Sequence, residues 1–343
     1  MNATTTQDAE AIRTRNFGSD LVLHSVIYPI DYCTSGCTYC GLSTLLAKEG
    51  AHGVRGGMPP ATFDWLMRHL ADDGYRVHEL VFGTVAEDQE RLAARVARWV
   101  QRARALDPSS YLIVNCDTLQ PAGYRRLKDA GADAVWTFME AMSPEIYRSK
   151  HRSGLKADQA QRMLAPGRIR DAGLHVGNAL LWGLCPDWEA ELEQLVSWSH
   201  DVGGFDFVAT PVQQRITLSD GTTAPADFDV VPSLTVTKEL YLEICGRLRM
   251  AFPTSHLVAN TRMDPVFVYG QAARITDMSN GYVWTGARSH PDKELAVAGH
   301  VRSDSTQMDF FNPGSSPADI QRLCPDDITV RLDLDSSTRL AAR

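Results

Sequence analysis

"YPIDYCTSGCTYCGLS", residues 28–43, places Cys33, Cys37 and Cys40 within eight positions, while the other four of seven cysteines are scattered along the chain. An odd number of cysteines in a chain of 343 residues argues against a disulfide framework. A tight group of thiols in a reducing compartment points to metal or redox chemistry instead.

The bulk composition is that of a globular protein with a sizeable core: 44% of residues are hydrophobic and 22% charged. No apolar run approaches the ~18 residues needed to cross a bilayer. The start, "MNATTTQDAEAIRTRNFGSD", has no apolar signal segment, so a cytoplasmic address is expected, with no membrane partner. The net charge of −8 and pI near 5.7 argue against nucleic acid as a partner. One basic stretch, residues 91–106, repeats Arg91, Arg95, Arg98 and Arg102 at helical spacing opposite Leu92, Val96, Trp99 and Ala103. It reads as a solvated helix face over a buried one.

Short β-rich runs alternate with amphipathic stretches. Strands are predicted at Leu21–Tyr28, Val77–Phe82, Tyr111–Asn115, Ala134–Phe138, Val176–Leu181, Phe205–Ala209, Ser255–Val258 and Arg274–Met278. Glycine closes three of the helical stretches between them, and "DAG" recurs at 129–131 and 171–173 just before a strand. This alternation predicts an α/β fold, a (β/α)8 TIM-type barrel, with an open doubly wound sheet as the alternative. Against the open sheet, no G-x-G-x-x-G follows the first strand; the cysteines occupy that loop. The predicted organisation is a polar N-terminal extension (1–20), a barrel (21–300) and a C-terminal tail (301–343).

The cysteine loop follows the end of the first strand, the face on which barrels carry their chemistry. Three thiolates can hold three corners of a [4Fe–4S] cluster and leave the fourth iron open to a ligand. Gly36 and Gly41 would let the loop fold closely around it. The competing readings are zinc held by the three cysteines plus His24 or His52, in a structural protein, and thiols that ligate nothing.

"CTSGCTYC", with an aromatic residue before the last cysteine, resembles the signature of the radical S-adenosylmethionine (SAM) enzymes. The resemblance extends over roughly residues 21–290. It is nearest to the aromatic amino-acid lyases, the tryptophan lyase that makes 3-methyl-2-indolic acid and the tyrosine lyases, with methylornithine synthase and biotin synthase further off. It implies a [4Fe–4S] cluster on Cys33, Cys37 and Cys40, and SAM cleaved by one electron to a 5′-deoxyadenosyl radical that takes hydrogen from a substrate. An external donor such as flavodoxin or ferredoxin would supply the electron. The protein is left with binding, aiming and shielding.

The resemblance also implies roles for residues outside the loop. Glu140, two residues past the fourth strand in "VWTFMEAMSPEIY", would receive the SAM amino group. Arg162 would hold its carboxylate, to which a bidentate guanidinium is well suited. A wet helix face for Arg162 and a cap for Glu140 are the structural alternatives. Tyr39 would pack along the adenine and Asn178 would meet the ribose. Gly83 and Thr84 stand where relatives have a Gly-Gly-Glu-like segment; they would keep its backbone contacts to the SAM amine and lose the side-chain one. At the substrate end, Tyr28, Arg262 and Ser279 match the tryptophan lyase by spacing: Arg262 for an amino-acid carboxylate, Tyr28 and Ser279 to orient the amine. Met263 stands where the family has glutamate, and "ATPVQQR" lacks the Pro-Arg of tyrosine lyases. Cys324 is alone in the tail, which leaves a second cluster unsupported, and Cys116, Cys185 and Cys245 read as structural. The implied activity is fragmentation or rearrangement of a free amino acid, tryptophan or another aromatic one; a mutase acting on an aliphatic amino acid is the alternative.

Overall fold

Eight short strands, each followed by a segment long enough to cross back over the sheet, can satisfy their backbone groups by closing on themselves. They do so here. The computed structural model describes residues 3–30, 32–48, 56–85, 88–216, 226, 228–260, 262–285 and 316–334. His52 and much of the expected C-terminal tail lie outside the described residues. Strands β1 (Asp20–Ile30), β2 (Val77–Phe82), β3 (Tyr111–Asn115), β4 (Ala134–Trp136), β5 (His175–Ala179), β6 (Phe207–Ala209), β7 (His256–Ala259) and β8 (Met278–Thr285) pair in parallel and in sequence order. β1 closes the ring, pairing with β2 along one edge and β8 along the other. The result is the expected (β/α)8 barrel.

Alternate strand residues point inward. The lower barrel is filled by side chains such as Val22, Val77, Trp136, Phe207 and Met278, so it is a packed core and not a pore. The outward residues meet the helices. Helix Gln89–Leu106 buries Leu92, Val96, Val100 and Ala103 and turns Arg91, Arg95 and Arg98 to solvent. The "DAG" glycines end their helices as the sequence suggests: Gly131 and Gly173 adopt φ of 101° and 74°, where any side chain would be strained.

Beneath β1 the chain termini add to the barrel. Helix Ala3–Phe17 packs on helix Lys238–Ala251, with the Arg249 guanidinium 4.6 Å from the Phe17 ring. A ninth strand, β9 (Thr329–Arg331), pairs with Asp20–Val22 of β1, and Leu334 packs against the lower core. No described helix is long and apolar enough to cross a membrane.

One strand differs from expectation. Ala272–Arg274 is a turn of 3-10 helix, and β8 begins at Met278, where the predicted strand ended. The pattern is obscured by Gly281, which sits at a register shift between β8 and β1. A Cβ there would stand 2.6 Å from Tyr75 Oη.

A tighter contact gives a stability prediction. A Cβ on Gly177 would stand 2.0 Å from Trp136 Cδ1 inside the barrel. Gly177→Ala should force Trp136 from its place and cost about 1–3 kcal/mol. An unchanged thermal unfolding midpoint would contradict that packing.

Candidate active site

The loop after β1 is held on two sides. Thr34 N–H donates to Thr84 O at 2.8 Å, just beyond β2, while Gly36 N–H reaches Ser153 O at 3.1 Å and Thr38 N–H reaches Lys150 O at 2.9 Å. A Cβ on Gly83 would come within 2.5 Å of Tyr32 O and 2.9 Å of Cys33 Cβ, so the approach of the β2 end to the loop depends on glycine. Thr84 completes the seam: its N–H donates to Cys33 Sγ at 3.2 Å and its hydroxyl accepts from Ser35 Oγ at 3.0 Å. Gly83 and Thr84 thus hold the cysteine loop, and both also line the cavity.

Cys33, Cys37 and Cys40 all line one cavity of about 560 Å3 at the carboxyl ends of the strands. Cys33 Sγ also receives Ser35 N–H at 3.4 Å, and Cys40 Sγ receives Leu42 N–H at 3.4 Å. Burial raises the Cys37 and Cys40 thiols, so they would become thiolates only beside a positive centre. Among the described residues no three His, Cys, Asp or Glu side chains are placed to hold one metal ion. A [4Fe–4S] cube takes each thiolate on a different iron and needs no such convergence, so the donor set fits a cluster. His24 does not join the cysteines; its Nε2 meets Glu79 Oε2 at 3.2 Å deep in the barrel. Of the remaining cysteines, Cys116 borders the same cavity.

Glu140 is the one non-glycine residue among those described with a left-handed backbone, at φ 70°. Hydrogen bonds to both neighbours over-determine it: its N–H donates to Ala179 O at 3.1 Å and its O accepts Leu181 N–H at 3.0 Å. The carboxylate reaches Lys156 Nζ at 2.6 Å, and that ammonium lies 5.8 Å from the centre of the Tyr39 ring. Burial is the largest influence on Lys156 and opposes its charge, but Glu140 and Cys37 together outweigh it and the lysine pKa is raised. Tyr39 is fixed from its other end by His151 Nε2 at 2.8 Å. His151 Nδ1 faces Tyr147 O at 2.8 Å and must carry the proton, so Nε2 accepts from the tyrosine. Burial, with Lys156 and Arg162 nearby, lowers the His151 pKa to about 2, and the ring is neutral.

Arg162 is not on a wet face. It is 2% exposed and ion-paired to Asp117, with Nη1 donating to Phe138 O at 2.8 Å and Nε to Tyr147 Oη at 3.1 Å. Asp117 in turn accepts from Thr84 Oγ1 at 2.6 Å. Asn178 does not reach the cavity. Its Oδ1 accepts Met139 N–H at 3.0 Å and Ala179 N–H at 2.8 Å, and its Nδ2 donates to Thr137 O at 2.9 Å. Three of the amide's four hydrogen-bonding positions join β4 to β5, and the side chain is 1% exposed, so the expected ribose contact is not found.

Tyr28, Arg262 and Ser279 all border the cavity. Arg262 presents accessible surface there, and crowding by the wall lowers its pKa to about 10 despite the opposing influence of Tyr28 and Cys40. Ser279 is placed less favourably: its hydroxyl donates to Ala259 O at 3.1 Å, and it pairs with Leu23, an outward residue. The next residue, Asn280, pairs with inward-facing His24 and donates to Asn260 Oδ1 at 2.9 Å. Sequence reasoning missed Asn280 because the eighth strand was set too early. It also missed Asp117, Lys156, Glu79 and Gln213, all on the cavity wall. Glu79 carried a signal, a carboxylate within the apolar run "VHELVF". Neither amide atom of Gln213 has a hydrogen-bond partner among the described residues.

No protein-family model matches this sequence, and no curated protein does. Solved structures do match. The [FeFe]-hydrogenase maturase HydG of Carboxydothermus hydrogenoformans aligns with a TM-score of 0.79 at 18% identity, covering 98% of this chain and 73% of that one. The two chains share the (β/α)8 barrel. Methylornithine synthase PylB aligns at 0.70 and 17% identity, covering 93% and 86% of the two chains. Streptococcus suis SuiB, in a structure bound to S-adenosylmethionine, aligns at 0.51 and 11% identity, covering 74% and 54%. At these identities the likeness is one of fold.

The Asp117–Arg162 pair yields a second prediction. Asp117→Ala leaves a buried guanidinium without its partner and should destabilise the protein by about 3–5 kcal/mol. Asp117→Asn keeps an acceptor for Thr84 and should cost less. Equal unfolding midpoints for the wild type and Asp117→Ala would show that the pair is not buried as described.

Proposed function

We propose that this chain is a radical SAM enzyme that acts on a free amino acid, tryptophan or another aromatic one, to fragment or rearrange it. One observation carries the reading: three thiols from a single loop open onto the same cavity as an arginine fit to hold a carboxylate. A [4Fe–4S] cluster on Cys33, Cys37 and Cys40 would supply the electron that cleaves SAM to the hydrogen-abstracting 5′-deoxyadenosyl radical.

The protein's own residues divide the remaining work. Glu140, held by Lys156, is an anion for the SAM amino group. Arg162 has three of its five N–H groups engaged with Asp117, Phe138 and Tyr147, and the other two are available to the SAM carboxylate. Tyr39, fixed by His151, offers a ring for the adenine. Arg262 takes the substrate carboxylate, with Tyr28 beside it. We assign the chemistry to the barrel, residues 21–300, flanked by the extensions 1–20 and 301–343. A cytoplasmic flavodoxin or ferredoxin would deliver the electron.

Anaerobic reconstitution should give about four irons and four sulfides per chain. Cys33→Ala should lose the cluster and Cys185→Ala should keep it; a Cys185 variant without iron would overturn the ligand assignment.

Arg262→Lys keeps the charge and loses the planar fork. It should retain iron and slow cleavage of SAM without substrate, while product formation falls by about 2 kcal/mol or more in kcat/KM. Turnover of an amino-acid amide as fast as the free acid would remove Arg262 as the carboxylate site.

A further inference from the structure

Below Tyr28 the cavity wall carries two hydrogen-bond acceptors that the proposed SAM site does not use. Glu79 is 1% exposed and borders the cavity from β2. Its Oε1 accepts Asn115 Nδ2 at 2.8 Å and its Oε2 meets His24 Nε2 at 3.2 Å. A carboxylate accepts about four hydrogen bonds, so roughly half of that capacity remains. Among the described residues, His24 is its one basic partner within ion-pair distance. A carboxylate so deeply buried, with neither lysine nor arginine against it, is costly unless something else donates to it.

A second, independent acceptor faces the same space. Asn280 lines the cavity from β8, and its Oδ1 is buried with no hydrogen-bond partner among the described residues. The strand register sets the two at similar depth: Glu79 pairs with Val26 and Asn280 with His24. They flank β1 two to four residues below Tyr28, about 7–13 Å along the strand. Tyr28 senses both ends of this span. After burial, Glu79 pushes its phenol pKa up and Arg262 pulls it down.

We propose that Glu79 and Asn280 receive an N–H or O–H group at the far end of the substrate's side chain, while Arg262 holds its carboxylate. The ligand class is an aromatic amino acid tipped with a hydrogen-bond donor, an indole N–H or a phenol O–H. His24 and Asn115 are positioning residues that fix the Glu79 carboxylate. The assignment rests on the amino-acid reading above and narrows it.

The test is equilibrium binding by calorimetry to the reconstituted enzyme with SAM and without reductant, so that nothing turns over. L-Tryptophan is compared with 3-(benzothiophen-3-yl)-L-alanine, and L-tyrosine with L-phenylalanine; the second member of each pair lacks the donor. In the pair that binds, the donor-bearing member should bind at least about tenfold more tightly. Glu79→Gln should bring that ratio close to one while preserving the preference for free acid over amide, and Asn280→Leu should reduce it in part. Equal affinities within the pair on the unaltered enzyme overturn the proposal and leave the amino-acid reading standing. A ratio that persists in Glu79→Gln, with both affinities lowered alike, makes Glu79 structural and also overturns it. If none of the four compounds binds, the aromatic amino-acid reading falls and this assignment falls with it.

Discussion

A buried ion pair, Arg162 with Asp117, ties the cysteine loop to the carboxyl ends of β2, β3 and β4. Asp117 follows β3 and takes the Thr84 hydroxyl; Thr84 takes Ser35 from the loop itself. Arg162 comes from the helix before β5 and reaches the end of β4 through Phe138 O and the helix after it through Tyr147 Oη. The pair need not add much net stability, because desolvating two charges offsets most of their attraction. Its effect is geometric. Neither charge can move without leaving the other unpaired, so the carboxyl ends of β2, β3 and β4 keep fixed positions relative to the thiols.

That fixed frame explains how charge is sorted over the cavity. Four cations, Lys156, Arg162, Arg215 and Arg262, line the cavity together with the carboxylates Asp117, Glu140 and Glu79. Lys156 and Arg162 are paired with carboxylates of the same wall, Glu140 and Asp117. In the proposed reading a substrate carboxylate meets Arg262 above and a donor group meets Glu79 below. A zwitterion with a polar-tipped side chain complements both, whereas a purely apolar ligand would strand Glu79 in a dry cavity.

Much of this was legible in the sequence, and the limits have physical causes. The C-x3-C-x2-C spacing and the strand–helix alternation depend only on local residue order, so the loop and the barrel could be read directly. β2 and β3 fall within the predicted bounds for the same reason. Asn178 misled because a polar residue at a strand end can face either a ligand or the neighbouring backbone, and only the register decides. Ser279 and Asn280 differ by one position, which reverses the face of a strand, and Gly281 hides the alternation that would separate them. Asp117 and Lys156 are invisible for another reason. Each is defined by a partner 45 or 16 residues away, a pairing that exists only after the barrel closes.

The packed lower barrel bears on why such a site suits radical chemistry. Trp136, Phe207 and their neighbours fill the space beneath the cavity, and Leu334 adds a further apolar side chain from below. A ligand must therefore approach from the side of the cysteine loop, and whatever occupies the upper wall covers what lies deeper. An amino acid seated between Arg262 and Glu79 would be enclosed by the packed core on one side and by the residues proposed to hold SAM on the other. Water is then kept from a reactive intermediate by the order of binding as well as by the walls, since the cavity has its polar anchors arranged along its depth. The same arrangement makes aim strict. With both ends of the substrate fixed, the hydrogen presented to the upper wall is set by side-chain length, and an error of about 1 Å can cost ~100-fold in rate.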